Sequence, residues 1–338
     1  MKDSVKLSIR AGAVLLAVVL AVGGFFVLRK SSTRVQPHHK ITLGLYMGPH
    51  SSLVHVALAN GYFRAEGLDV TVQEHVSGKA ALNSLVEGKV DLATAAETPI
   101  TLAALKGHRI SVLATIFTSE KDLVLVARKE EGISTPRDLT GKKVGVPLGT
   151  TGEFFLDAFL ALHSISKKNI EIIDVKPDEM VNALVTGRID AASIWHPQAF
   201  QLQKELGERC VTFHGETICT ETFNILVTQD YVRRNPDVAK GVLRALLRAE
   251  EFVRSNPSES VRIVSNAIKT DGTLLSQYWN IYKFKVSLEQ SLIINLEDQA
   301  RWVIKTNQTD VKDVPNFVPF IYLEGLKAVK PEAVSIIH

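Results

Sequence analysis

The sequence predicts an α/β protein of two similar lobes, and three observations predict it: an internal repeat, helices alternating with strands, and a length of 338 residues. The repeat is the strongest. Leu82-Asn83-Ser84-Leu85-Val86-Glu87-Gly88-Lys89-Val90-Asp91-Leu92-Ala93 aligns with Val181-Asn182-Ala183-Leu184-Val185-Thr186-Gly187-Arg188-Ile189-Asp190-Ala191-Ala192. Each copy reads as an amphipathic helix stopped by a glycine able to take the left-handed conformation, then a basic residue, then a short apolar strand opened by aspartate. Each strand breaks into a loop, Thr94-Ala95-Ala96-Glu97-Thr98-Pro99 in the first copy and Ser193-Ile194-Trp195-His196-Pro197 in the second. Ligands of open α/β sheets sit outside the carboxyl ends of the strands, so two facing units form a cleft with one loop on each wall. The length also exceeds one domain of roughly 100–200 residues.

Residues 1–40 are expected to be a membrane anchor or signal plus a tether. Ala11 to Leu28 is an apolar run of 18 residues, bounded by Arg10 and by Arg29-Lys30. That is the lower edge of a membrane span. A small-x-small site at Ala21-Val22-Gly23 would cut inside the run, and no cysteine follows it for lipidation, so an uncleaved anchor is favoured. Arg29, Lys30 and Arg34 outweigh the amino-terminal charges, which leaves orientation open by charge alone. His38-His39 read as solvated linker rather than a metal site. The formal net charge of +3 belongs to this tail: Lys2, Lys6, Arg10, Arg29, Lys30, Arg34 and Lys40 face only Asp3, which makes the remainder net acidic. No dense basic run marks a nucleic-acid surface.

The body starts with a strand at 41–46, a loop through Met47-Gly48-Pro49-His50, and a helix from Ser51. A strand at 68–74 follows, then the first repeat helix capped by Ser77, its strand at 90–94, and a helix over 98–106. Residues 110–116 and 123–128 have strand patterns. Strands are predicted again at 143–146, 170–175 and, after the second repeat, 223–228. Asn235-Pro236 opens a long helix ending near Asn256-Pro257, with Val242, Leu243, Leu246 and Leu247 on one face. These spacings imply βαβ units and a mostly parallel sheet. The expected division is 41–128 with 224–338 as lobe 1 and 129–223 as lobe 2, with crossovers near 123–130 and 221–228 acting as a hinge. Cys210 and Cys219 are either a disulfide in an oxidising compartment or two buried thiols.

Several segments, in this order and spacing, resemble the periplasmic solute-binding proteins of ABC importers, of the nitrate, sulfonate, taurine and thiamine-precursor type. They are Leu58-Ala59-Asn60-Gly61-Tyr62-Phe63, Glu66-Gly67-Leu68-Asp69-Val70, the two repeats, Asp138-Leu139-Thr140-Gly141-Lys142-Lys143-Val144-Gly145-Val146, Trp195-His196-Pro197 and Asn235-Pro236. The resemblance implies a two-lobed periplasmic-binding-protein fold that closes on a small solute, with a permease and its ATPase as partners. It implies a monomer on the extracytoplasmic face, which the apolar run at 11–28 would attach to the cytoplasmic membrane. Neither catalysis, a cofactor nor a metal is expected, since neither a nucleophile elbow nor a His-x-x-x-His pair occurs. A pyrimidine-precursor binder and a membrane-tethered ligand sensor are the alternatives to a sulfonate, taurine or nitrate binder.

Gly149-Thr150-Thr151-Gly152 offers amides and hydroxyls at a helix start, where an anion is favoured. In the family the matching segment holds the ligand's acidic group. Trp195 supplies a flat wall with an N–H. His196 stands where that family usually carries an acid, and is a neutral donor or a counter-charge. Glu97 is a candidate acceptor for a ligand amine or hydroxyl, with Thr98 beside it as a cap. Ser77 and Gly78, Met47, Gly48, His50 and Ser51 from the first loop, and Glu221 and Thr222 at the second crossover complete the candidate set.

Overall fold

The computed structural model describes residues 39–215 and 218–337. Ten strands follow in chain order: β1 (His39–Tyr46), β2 (Leu68–His75), β3 (Leu92–Ala96), β4 (Ile110–Ser119), β5 (Val124–Arg128), β6 (Lys143–Val146), β7 (Glu171–Asp174), β8 (Ala191–Ile194), β9 (Cys210–His214) and β10 (Glu221–Thr228). They form two five-stranded sheets, ordered β2-β1-β3-β10-β4 and β7-β6-β8-β5-β9. Helices cover both, giving a two-lobed α/β fold of the periplasmic-binding-protein type. The central strands are buried along their length, as sheets with helices on both faces require.

The sheets are built alike. β1 is parallel to β2 and β3, and β6 is parallel to β7 and β8. The fourth strand of each is antiparallel, β10 in the first and β5 in the second. Gly88 and Gly187 end the repeat helices at φ +71 and +77, the left-handed values that glycine takes without strain. The repeat aspartates pin each sheet. Asp91 accepts from the Thr42 amide and hydroxyl, both at 2.7 Å, and Asp190 accepts from the Lys143 amide at 2.8 Å. Gly44 and Gly145 lie next along β1 and β6, where a Cβ would meet Val90 at 3.2 Å and Ile189 at 2.4 Å.

Several expectations are corrected. β5 was expected in lobe 1, but pairs with β8 and β9 in the second sheet, so the first crossover falls between Ser119 and Val124 rather than after Arg128. An apolar run fits either sheet equally, and nothing local specifies its partner. The return lies before Glu221, so 221–223 also belong to lobe 1. Each sheet is mostly parallel as expected, with one reversed strand, β10 in the first and β5 in the second. β9 is an additional strand, half-buried along its length.

Cys210 and Cys219 are free thiols. Cys210 starts β9 opposite Arg128, while Cys219 lies beyond its far end near Glu97 and Glu221. The expected anchor over 11–28 lies outside the described residues, and among those described no helix is long and apolar enough to cross a membrane. The remaining chain packs on lobe 1: the helix Pro236–Ser255 buries Val242, Leu243 and Leu246 and lies against Ser52–Ala59 and Leu323–Val329.

Candidate functional site: a cavity between the lobes

A small cavity lies between the carboxyl ends of the two sheets. Lobe 1 supplies Tyr46 from the end of β1 and His50 from the turn behind it. It also supplies Ser77, Gly78 and Lys79 from the start of the helix Gly78–Val86, Ala96 and Pro99 at the start of the helix Glu97–Leu105, and Glu221 and Phe223 from β10. Lobe 2 supplies Thr150 and Thr151 at the start of the helix Thr151–Leu162, and Trp195 just after β8.

Three helices therefore begin at this one cavity. Their dipoles aim positive ends at it and Lys79 adds a charge, opposite the Glu221 carboxyl in the same wall. Ser77 caps its helix by accepting from the Ala80 amide at 3.2 Å. Gly78 is required by space, since a Cβ there would lie 2.8 Å from the Ala95 Cα.

The lobes touch across the cavity. Trp195 Nε1 donates to Tyr46 Oη at 2.8 Å, and Lys79 Nζ donates to the Leu148 carbonyl at 2.8 Å. A second line of contact runs outside it, where Trp302 Nε1 donates to Asp157 at 2.9 Å and Gln308 donates to Glu153 at 3.1 Å. The cleft is thus in a closed arrangement.

His50, Ser77, Gly78, Thr150, Thr151, Trp195 and Glu221 line the cavity as the sequence suggests, and the other candidates do not. Gly48 packs under the Tyr46 ring, where a Cβ would be 2.3 Å from ring carbons. Met47 faces a separate opening with Glu74, His75 and Asp178. Ser51 is buried against Thr94. Gly149 forms a left-handed turn whose amide donates to Glu153 at 2.6 Å, and Gly152 lies behind Trp195. The Thr150 hydroxyl donates to the Pro147 carbonyl at 2.6 Å, so the turn's own residues satisfy much of what was expected to hold an anion.

Glu97 turns away from the cavity. Its Oε2 accepts from the Thr222 amide at 3.0 Å and hydroxyl at 3.1 Å, while Oε1 is buried without a hydrogen-bond partner. Burial pushes its pKa up to about 7, against the bonds from Thr222. Thr98 is not a cap; it lies inside the helix and donates to Gln299. His196 is also behind the wall, with Nδ1 donating to the Asp122 carbonyl at 3.0 Å and its ring against Tyr278 and Phe200.

A buried ionisable cluster lies at one side. His50 Nε2 is 2.9 Å from Asp122 Oδ2 and 3.6 Å from Glu221 Oε2. Burial pulls the His50 pKa down, but the carboxylates of Asp122 and Glu221 outweigh it and push it up to about 10. Asp122 is held below the usual carboxylate range: burial opposes this, and His50 and His196 overcome it. Burial pushes Glu221 up to about 8, with His50 opposing and Asp122 and Glu97 reinforcing. Asp122, Tyr46, Lys79, Ala96, Pro99 and Phe223 are absent from the sequence-based set. Lys79 had a signal, following the capping Ser77-Gly78; Asp122 had none, standing in a charged stretch that reads as solvated loop.

Two α/β lobes joined by two crossovers and closed over a small cavity define the class of cleft-closing solute-binding proteins. The profile of the family described as NMT1/THI5 like matches residues 49–260, and the chain belongs to that family. The chain is similar to the taurine-binding periplasmic protein of Escherichia coli (strain K12), at 27% identity over 63% of this chain and 67% of that one. It is also similar to the formylaminopyrimidine-binding protein of Halalkalibacterium halodurans, at 24% identity over 67% and 69%. Among solved structures, the alkanesulfonate-binding protein SsuA of Xanthomonas axonopodis pv. citri bound to MOPS superposes with a TM-score of 0.74. That match has 17% identity and covers 85% of this chain and 99% of that one.

Proposed function

We propose that the protein is the extracytoplasmic solute-binding component of an ABC importer and captures a small organic anion by closing its lobes. The observation that carries this reading is the convergence of three helix N-termini and Lys79 on a cavity walled by Trp195 and Tyr46. Helix N-termini favour an anionic group, and the aromatic walls accept the apolar remainder. Cleft closure is a shift of population, driven by contacts that the solute makes with both walls at once. The closed complex then docks on a permease. Tethering to the outer face of the cytoplasmic membrane through residues 11–28 fits this role.

One observation favours a second solute class. Tyr46, Phe223 and Trp195 surround a carboxyl, Glu221, a combination that suits a heteroaromatic ring bearing an amine, as in a pyrimidine precursor.

A melting-temperature screen of the full-length chain against taurine, alkanesulfonates, nitrate and a formylaminopyrimidine, with native mass spectrometry alongside, tests the proposal. A solute at 100 times its Kd stabilises by about 2.7 kcal/mol, enough to resolve. A shift with an unaltered bound mass is expected for an anion. A response to the pyrimidine alone moves the assignment to the second class, and no response, or conversion of the bound molecule, overturns transport binding.

A further inference from the structure

His50, Asp122 and Glu221 reach one point from three distant stretches: the turn after β1, the first crossover, and the first residue of β10. One ligand atom from each, a ring nitrogen and two carboxylate oxygens, lies within 4.8 Å of the others. The three residues are 1%, 0% and 3% exposed. Carboxylates this deep need a counter-charge, because a buried ion left unpaired costs several kcal/mol. Among the described ion pairs no Lys or Arg reaches either one, and the bases present are His50 and, for Asp122, His196. Asp122 Oδ1 and Glu221 Oε2 are both buried without a hydrogen-bond partner. The cluster holds buried acceptor oxygens that no donor fills.

It is also open on one side, since His50 and Glu221 line the cavity. We propose that His50 Nε2, Asp122 and Glu221 form a binding site for a divalent transition-metal ion in the wall of the cavity. The N-to-O separations of 2.9 and 3.6 Å bracket the edge of about 3.3 Å between neighbouring ligands of a tetrahedral ion with bonds near 2.0 Å. An imidazole with two carboxylates suits Zn²⁺, Mn²⁺, Fe²⁺ or Co²⁺ better than Mg²⁺ or Ca²⁺, which take oxygen ligands. The ion replaces the proton between His50 and Asp122, as metal ligands bind deprotonated. His196, bonded to the Asp122 carbonyl, holds that crossover in place. Because His50 and Glu221 line the cavity, water or a solute oxygen could complete the ion's coordination from that side. The site stands on these residues alone and does not depend on which solute the cavity takes.

The test is equilibrium dialysis of the metal-stripped full-length chain against ZnCl₂ or MnCl₂, read by elemental analysis, with the Co²⁺ absorption spectrum as a second measurement. One equivalent per chain is expected, with a Co²⁺ spectrum of four- or five-fold coordination. Glu221→Gln, nearly isosteric, is expected to weaken uptake by about 100-fold or more while circular dichroism remains that of the folded wild type. His50→Gln is expected to do the same. Both variants retain His38-His39, so uptake by the tail cancels in the comparison. Equal uptake by wild type and Glu221→Gln, or no stoichiometric uptake by folded wild type, overturns the site. A melting shift with taurine but none with any metal also overturns it, by showing that an ammonium group answers the carboxylates.

Discussion

The two repeat units share a backbone and differ in what their loops do with it. In both, a left-handed glycine ends the helix and an aspartate ties the next strand to the sheet. Past the strand they part. In lobe 1 Glu97 and Thr98 face inward, committed to Thr222 and Gln299. In lobe 2 Trp195 faces the cavity and meets Tyr46 across it. The repeated residues therefore report architecture, and the binding surface comes from the positions where the copies differ.

The largest expected break in this comparison is at Trp195. Trp195→Ala removes a nearly buried ring and one bond between the lobes, and is expected to lower stability by about 3 kcal/mol and to abolish the melting shift given by the solute. An unchanged shift in calorimetry or melting would remove Trp195 from the wall. Next are the paired aspartates. Asp91 accepts two bonds from Thr42 and Asp190 one from Lys143, so Asp91→Ala is expected to cost about 2 kcal/mol and Asp190→Ala about 1 in urea unfolding. Equal costs would show that the second bond to Asp91 adds nothing to the pinning of lobe 1. Gly145→Ala, pressing on Ile189 at 2.4 Å, is expected to cost about 1 kcal/mol, and Gly44→Ala, at 3.2 Å from Val90, less.

The last comparison is read through pH and concerns Glu97. Its folded pKa, about 7, lies above the ordinary value of 4.5, so the folded chain holds a proton that the unfolded chain has released. Stability from this group therefore falls as pH rises from about 4.5 to 7 and is level above that. Glu97→Gln is expected to melt higher than wild type at pH 8, with the gap closing toward pH 4.5. A gap independent of pH would show that Glu97 stays charged when buried.

Local chemistry made much of this legible. Gly88, Gly187 and Ser77 were readable because helix ends depend on a few adjacent residues, and Trp195 was readable from its place after a strand. The lobe of β5 was not, because its partners, β8 and β9, lie far along the chain. Glu97 and His196 were placed in the right loops with the wrong facing, since one turn of backbone decides whether a polar group meets solute or protein. Asp122 was invisible for a related reason: its significance arises only when His50, His196 and Glu221 arrive from elsewhere.

The crossovers also bear on the order in which the molecule assembles. Strands β5 to β9 are contiguous in the chain, whereas the first sheet has a gap between β3 and β4 that only β10 fills. A chain emerging from the ribosome at roughly 5–20 residues per second completes the later-starting lobe first, leaving two unpaired strand edges in the older one until Glu221–Thr228 appears. Pulse-labelled hydrogen exchange should find earlier amide protection in β5 to β9 than in β3 and β4, and the reverse order would discard this sequence of events. The nascent protein is most vulnerable to mispairing while those edges wait, and a chaperone would be needed most in that interval.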